Sequence, residues 1–308
     1  MSDSPDIRLG LYVPPHPHPL LAPEQNDGWG RLRKAFDTCK ERIEDSGADL
    51  ILIYSTTWPS IIGHQIQAHP NPVFTHVDDD FHFLGSMDYE FKMDSEFSEC
   101  FRGFCEERGL HARTVSYDGF PIDTGSVVAL KLLNPENRIP ACIVSSNVYS
   151  NRAEQIVLGK SARDAISKLR RKVAVVVVAS LSNRMFTEHI DPSEDRIHSA
   201  KDDEWNRKIL EFFEDGRLED ISQLSRDIHG QIRVSKVVAY KPAWWMASTM
   251  GQHNNYDGEV LAYEALHGAG GAVIQLTPSI GGVGDKEFDE DDVEFYQGDR
   301  SVLGKGAI

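Results

Sequence analysis

The sequence predicts an α/β fold with a mostly parallel central sheet and helices on both faces. Short continuous apolar runs, such as Asp49–Tyr54 and Val173–Ala179, are typical of strands that are buried on both sides. Between such runs lie longer segments, such as Trp29–Ser46, in which apolar residues recur at helical spacing. Strands and helices that alternate along a chain favour parallel pairing, because each helix returns the chain to the starting edge of the sheet.

The first elements form a β–α–β unit. The predicted first strand, Ile7–Val13, ends at the proline-rich residues 14–19, because proline has no N–H with which to continue a strand ladder. A helix is predicted over Trp29–Ser46, and a buried strand follows over Asp49–Tyr54.

The same alternation continues to the last strand. Helices are predicted over Ser95–Arg108, Arg152–Arg171, Asp203–Asp215, Leu218–His229 and Val234–Met250. Strands are predicted over Ala112–Tyr117, Ile139–Ser146, Val173–Ala179 and Gly271–Leu276. We expect one α/β domain over residues 1–280 and an acidic tail over residues 281–308. The run Asp285–Asp299 in that tail is typical of a solvated segment, with partner binding as the alternative.

Composition excludes several classes of partner. The chain has 308 residues and a formal net charge of -16, so nucleic acid and anionic membranes would repel it. Its four cysteines show no CxxC spacing and predict buried free thiols in a reducing compartment. No apolar segment near the N-terminus has the length of a signal peptide or a membrane span, so we expect a cytoplasmic protein.

Ligands of α/β sheets bind beyond the carboxyl ends of the strands, so the residues at those ends are the candidates for chemistry. His16 and His18 follow the first strand among prolines that restrict the backbone, and imidazole is a common ligand of iron and zinc. The alternative is a pair of exposed turn histidines. Ser55–Trp58 follows the second strand, and His64 lies shortly beyond it as either a metal ligand or a residue on a helix surface.

Other segments carry weaker signals. His76–His82 contains two imidazoles and three carboxylates, but its spacing differs from zinc motifs and it lacks the glycine of a calcium loop. Asp118–Gly125 is rich in turn residues. Asn183 follows the Val173–Ala179 strand, where an acid or base would fit, although an amide cannot transfer a proton at neutral pH. Glu259 is a carboxylate available near the last strand.

Taken in order, these segments resemble the class III extradiol ring-cleavage dioxygenases. The resemblance is carried by Pro15–His18, Ser55–Trp58, Asp123–Gly125, Ser182–Asn183, Asp202–Asn206 and Gly268–Val273. It implies the fold predicted above and an iron site in which two histidines and a glutamate hold ferrous iron while a further histidine acts as acid and base. The strings Tyr54–Trp58 and Asp118–Gly125 resemble the non-catalytic α-type subunit of the two-subunit 2-aminophenol dioxygenases.

The resemblance implies that the iron site is degenerate. His16 or His18 stands at the place of the first family histidine, but Thr57 stands at the second. Asn183 stands where the family has its acid–base histidine, and Asn255 aligns with the glutamate, with Glu259 as the alternative at that position. We therefore expect no catalytic residue, cofactor or metal in this chain, and Fe(II) in a partner subunit. The fallback metal ligands are His16, His18, His64 and Glu259.

Three hypotheses remain open from the sequence. The first is a structural subunit of a heteromeric ring-cleavage dioxygenase that acts on catechol or 2-aminophenol type rings, paired with a homologous catalytic subunit or in a higher heteromer. The second is a self-sufficient dioxygenase with a rearranged metal site in this chain. The third is a metal-free binding or scaffold protein that retains the fold.

Overall fold

The protein is built on a central mixed sheet with a separate two-stranded ribbon. The computed structural model describes residues 6–218, 220–222, 241–251 and 256–279. The strands of the sheet are β1 (Asp6–Val13), β2 (Leu50–Ser60), β3 (His64–Gln67), β6 (Ala112–Val115), β7 (Ala141–Asn147), β8 (Lys172–Val178), β9 (Tyr256–Leu266) and β10 (Ala269–Pro278). The ribbon consists of β4 (Val73–Val77) and β5 (Ser86–Glu90).

The strand order is β6-β3-β7-β2-β8-β1-β10-β9, with a parallel centre and antiparallel flanks. Strands β7, β2, β8 and β1 run parallel, which confirms the predicted fold class. On one flank, β3 runs antiparallel to β7 and parallel to β6. On the other flank, β10 runs antiparallel to both β1 and β9. A hairpin joins β9 to β10 through His267 and Gly268, whose φ values of 53° and 95° suit a tight two-residue turn.

Helices cover both faces of the sheet. They are α1 (His18–Leu21), α2 (Asp27–Ser46), α3 (Ser95–Glu107), α4 (Thr124–Leu133), α5 (Arg152–Leu169), α6 (Ala200–Glu214) and α7 (Lys241–Met250). Strand β8 shows the two faces directly, because Val175 and Val177 belong to one hydrophobic core while Val176 and Val178 belong to the other. Helices α3, α5, α6 and α7 line the first core, and α2, α4 and the ribbon line the second. Burial on both faces explains why β8 reads as a continuous apolar run.

Side-chain caps set several helix starts within a few residues of the predicted ones. The Asn26 side chain accepts hydrogen bonds from the first turn of α2, and Asn151 and Glu154 form a reciprocal capping box at α5. Ser199 caps α6, which begins at Ala200, three residues before the predicted start. Of the two helices predicted after Arg217, α7 falls within the second, and most of the first lies outside the described residues. The acidic tail, residues 281–308, also lies outside them.

Helices α1 and α4, strands β3 and β9 and the ribbon were not predicted from the sequence. Eight of the ten residues of α4 are buried, so its apolar residues do not follow a one-sided helical pattern. The prediction of free thiols is confirmed, because all four cysteines are unpaired. No helix within the described ranges has the length and apolar character needed to cross a membrane.

Candidate functional site

The tips of three central strands meet the start of α4 at the carboxyl edge of the sheet. Gly125 lies at the centre of this junction. A methyl group there would lie 2.5 Å from Thr57 Oγ1, 2.6 Å from Val178 Cγ1 and 2.9 Å from Pro15 Cβ. Thr57 lies in the last part of β2, Val178 ends β8 and Pro15 follows β1, so glycine permits a close approach that any side chain would block. Thr57 was expected beyond the end of the second strand, but β2 continues to Ser60 and includes it.

Thr57 is a structural link in this junction. Its hydroxyl donates to Asp123 Oδ1 at 2.6 Å, and Ser55 Oγ donates to the same oxygen at 2.6 Å. Asp123 Oδ1 also accepts the main-chain N–H of Ser126 at 3.0 Å and so caps α4. The N–H of Gly125 donates back to Thr57 Oγ1 at 3.1 Å. The Thr57 hydroxyl therefore ties β2 to the N-terminus of α4.

His16 and His18 are buried against aromatic side chains. They are 8% and 1% exposed, so the alternative of two exposed turn histidines is wrong. The ring of Phe81 lies 5.9 Å from the His16 ring and 4.4 Å from the His18 ring, centroid to centroid. Trp29 packs edge-on against His18 at 4.5 Å. Their proximity to each other, 6.1 Å between ring centroids, matches the prediction that both follow the first strand.

Burial keeps both imidazoles neutral at pH 7. Loss of solvation lowers the pKa of His16 to about 4, although the nearby Asp78 carboxylate acts in the opposite direction. Burial likewise lowers the pKa of His18 well below its usual value, and the neighbouring imidazoles of His16 and His267 lower it further. The Nδ1 atoms of His16 and His18 are buried and have no hydrogen-bond partner within the described part of the chain.

His267 and Asp78 belong to the same cluster, and the sequence analysis identified neither individually. His267, on the β9–β10 turn, packs edge-on against Phe81 at 5.4 Å. The carboxylate of Asp195 holds that turn, accepting the main-chain N–H groups of His267 at 2.8 Å and Gly268 at 3.1 Å. No local pattern marks His267, because it reaches the cluster only through the pairing of β10 with β1.

The His76–His82 segment forms the tip of the ribbon and does not gather its donors around one point. Asp78 Oδ1 accepts the main-chain N–H groups of Asp80 and Phe81, which is turn chemistry. Asp78 Oδ2 accepts from Thr124 Oγ1 at 2.6 Å, and His76 Nε2 lies 2.6 Å from the same hydroxyl. The segment thus fixes the ribbon tip to α4 and places Phe81 between the histidines.

His64 lies at the start of β3 and is buried, so its interpretation as a residue on a helix surface is wrong. Burial lowers the pKa of His64 to about 4, and the nearby ammonium of Lys241 adds to this effect. That buried ammonium donates to the carbonyl oxygens of Asn147 at 2.6 Å and Val148 at 2.8 Å. Strands β7, β2 and β8 separate β3 from β1, so His64 stands apart from His16.

Glu259 is engaged away from the strand tips. It lies on β9 opposite Gln275, which pairs with Leu11 in the middle of β1. Its carboxylate forms a 2.6 Å ion pair with Arg42 of α2. Asn255, aligned with the family glutamate, lies outside the described residues.

Three of the segments that carried the family resemblance come together beside Asn183. Asn183 is half-buried and directly follows Ser182, whose hydroxyl accepts from Asn206 Nδ2 at 2.8 Å. Gly270 exchanges main-chain hydrogen bonds with this loop, and a methyl group on Gly270 would lie 2.3 Å from Asn206 Nδ2. The fold therefore brings these separated segments into contact.

The donors in the described ranges do not fit a ferrous site. A threonine hydroxyl and an asparagine amide are weak neutral ligands, and the threonine is already committed to Asp123. His64 lies on β3, apart from His16, and Glu259 is paired with Arg42. Among the residues that the structure describes, no group of three or more His, Cys, Asp or Glu side chains is arranged to hold a metal ion.

Comparison with known proteins identifies relatives over most of the chain. Residues 10–274 match the family described as the catalytic LigB subunit of aromatic ring-opening dioxygenase. The chain is 30% identical to the 2-aminophenol 1,6-dioxygenase alpha subunit of a Pseudomonas species, over 88% of this chain and 99% of that protein. It is 29% identical to the beta subunit from Pseudomonas, over 88% of this chain and 93% of that one.

A solved structure shares the fold. An uncharacterized protein from Escherichia coli K12 superposes with a TM-score of 0.59 and 11% sequence identity, over 87% of this chain and 99% of that one. At this level of identity the similarity concerns architecture alone, and it agrees with the mixed α/β sheet described above.

Proposed function

The chain belongs to the LigB family of aromatic ring-opening dioxygenases, and we propose that it is the non-catalytic subunit of a two-subunit extradiol enzyme. One observation carries the proposal. The Thr57 hydroxyl, at the position of the second family histidine, is hydrogen-bonded to the cap of α4 and offers iron only a weak neutral donor. Asn183 supports the same proposal, because an amide cannot act as acid or base at neutral pH.

The proposed partner is a homologous catalytic subunit that carries Fe(II). The similarity of this chain to both the alpha and the beta subunit of one dioxygenase supports a partner of the same fold. The proposed substrates of the complex are rings of the 2-aminophenol or catechol type. When bound to the partner, iron supplies the positions at which substrate and dioxygen meet.

In this proposal the residues at the strand tips of this chain are structural. The rings of His16, His18 and His267 surround Phe81, and the two former imidazoles are neutral because they are buried. Phe81 is 4% exposed and fills the space between them. The cluster stabilises the sheet edge in the way an aromatic core does.

We also propose a cytoplasmic location and a single domain over residues 1–280. The four free thiols support a reducing compartment. The continuous central sheet, which joins β1 near the N-terminus to β10 near residue 278, supports a single domain.

Metal analysis tests the proposal that the partner subunit, and not this chain, binds the iron. The chain is purified alone and after co-expression with a homologous catalytic subunit. Iron content and oxygen uptake with 2-aminophenol are measured for both preparations. We expect iron and ring cleavage only in the pair. Stoichiometric iron together with ring cleavage in the isolated chain would refute the proposal.

Variants of this chain in the complex separate the alternatives. His16→Ala and His64→Ala are each compared with His189→Ala, an exposed histidine outside the cluster of His16, His18 and His267. We expect all three complexes to retain the iron content of the parent. Loss of iron with His16→Ala or His64→Ala, but not with His189→Ala, would instead support a rearranged metal site in this chain.

A further inference from the structure

Among the described residues, the outer edge of β4 in the ribbon has no strand partner. Strand β4 pairs only with β5, and none of its residues makes a backbone hydrogen bond to another element within the described ranges. Free edges are usually blocked by lysine, proline, a bulge or an inward-pointing charge. Strand β4 reads Val-Phe-Thr-His-Val, and its register with β5 is continuous, so none of these devices is present.

Three of the five side chains along this edge are apolar and exposed. Val73 is 63% exposed, and Phe74 and Val77 are each 46% exposed. Exposed apolar residues are common singly, but here three lie within five residues on one free strand. Such a strand is suited to β-augmentation, in which a second strand adds to the edge.

The register identifies which residues offer the free hydrogen-bonding groups. The main-chain N–H of Phe91 donates to the carbonyl of Pro72, so the pair formed by residues 72 and 91 is hydrogen-bonded across the ribbon. Because such pairs alternate in an antiparallel ladder, Val73, Thr75 and Val77 direct their N–H and C=O groups to the outer edge.

The sequence of β4 complements itself. In an antiparallel pair of two β4 strands centred on Thr75, Val73 of each copy lies opposite Val77 of the other, and Thr75 lies opposite its own counterpart. Strand β4 contains no Asp, Glu, Lys or Arg, so no pair of formal like charges meets. The equivalent pairing of β5 about its centre would oppose two Asp88 carboxylates, which is destabilising.

We propose that β4 is a self-association surface that pairs with β4 of a second copy of this chain about a two-fold axis. The ribbons of the two copies then form one continuous four-stranded sheet. The interface is isologous, so it closes at two copies and leaves no free edge on β4. It lies on the ribbon, apart from the strand-tip cluster, and does not depend on the proposed function.

Edge substitutions test the proposal. The full-length chain is examined by light scattering from about 1 to 200 μM, because an interface of modest area associates weakly. We expect a concentration-dependent dimer for the parent. The double variant Val73→Lys/Val77→Lys is expected to remain monomeric, because it places lysines along the pairing edge. Ser86→Lys adds the same kind of charge to the inner strand, opposite Val77, and is expected to dimerise like the parent.

A cross-link tests the register. Thr75→Cys places two thiols at the proposed two-fold axis, where a hydrogen-bonded pair has its Cα atoms about 5.5 Å apart and within disulfide reach. We expect mild oxidation to give a covalent dimer with Thr75→Cys and none with Asp88→Cys or the parent. Thermal melting of each variant establishes that it is folded.

Two results would overturn the inference. One is a parent chain that stays monomeric over the whole concentration range. The other is a dimer that persists in the folded Val73→Lys/Val77→Lys variant. A third outcome is a parent chain that is monomeric alone and a Val73→Lys/Val77→Lys variant that no longer binds the co-expressed subunit. In that case the edge pairs with the other subunit, and self-pairing is rejected.

Discussion

At the residue scale, hydrogen bonds to the Asp123 carboxylate organise the junction between β2 and α4. The Asp123 carboxylate accepts from two hydroxyls of the β2 tip and from the first turn of α4 through one oxygen atom. A histidine in place of Thr57 would have to displace this hydroxyl from the cap. The Thr57 hydroxyl therefore has a structural role at this junction.

Replacing Asp123 with alanine should destabilise the protein. The change removes the N-cap of α4 and leaves the Ser55 and Thr57 hydroxyls without their acceptor, so we expect a loss of about 1–2 kcal/mol in the free energy of unfolding. Urea denaturation measures the loss. The control is Asp79→Ala, an exposed acid of the ribbon tip that should change stability by less than about 0.5 kcal/mol. Equal stability of the two variants would contradict the role assigned to Asp123.

At the scale of elements, the contact between α4 and the strand tips depends on the absence of one side chain. Gly125 lies in the first turn of α4, and its hydrogen atom faces β1, β2 and β8. Helix propensity alone disfavours glycine there. Close packing against three strands outweighs that preference, because a larger residue would push the helix away from the sheet edge.

Two glycine-to-alanine substitutions should therefore have opposite effects. Gly125→Ala places a methyl group within 3 Å of three neighbours, and we expect it to lower the free energy of unfolding by about 1–3 kcal/mol. Gly103→Ala, in α3, meets no atom within 4 Å and should raise it by about 0.5–1 kcal/mol through helix propensity. Thermal or urea denaturation of both variants measures the difference. If Gly125→Ala instead raised the free energy of unfolding, the junction would have space for a methyl group.

At the scale of the whole molecule, three neutral histidines buried in different parts of the sheet edge couple stability to pH. Burial lowers the pKa values of His16 and His64 to about 4, and that of His18 well below its usual range. In the unfolded chain these groups bind protons near pH 6.5. Below that pH the unfolded state binds protons that the folded state does not bind. The free energy of unfolding therefore decreases as the pH falls toward 4.

The free energy of unfolding should fall between about pH 6.5 and 5, before most carboxylates titrate, by up to about 1.4 kcal/mol per pH unit for each of the three histidines. Urea denaturation at several pH values in this window measures the slope. His64→Gln removes one of the contributing imidazoles and should make the slope shallower. A parent protein whose stability is flat across the window would rule out the buried neutral state.

The sequence predicted an element well where neighbouring residues alone carry a recognisable hydrophobic pattern. The run Val173–Ala179 identified β8 almost to the residue, because a strand buried on both faces must be continuously apolar. The same rule failed for α4, where burial on nearly all sides produced an apolar run without helical periodicity. It failed also for β4, whose exposure leaves little alternation to detect.

The sequence by itself determined the fold class and the side chains that follow the central strands, because periodicity and strand termination are properties of neighbouring residues. Only the tertiary structure decided which of those side chains meet. The insertion of β10 beside β1 brings His267 to the histidine cluster, while the pairing of β9 with β10 commits Glu259 to Arg42. Those outcomes depend on strand order and register, which arise from contacts between segments far apart in the chain and leave no mark in any local pattern.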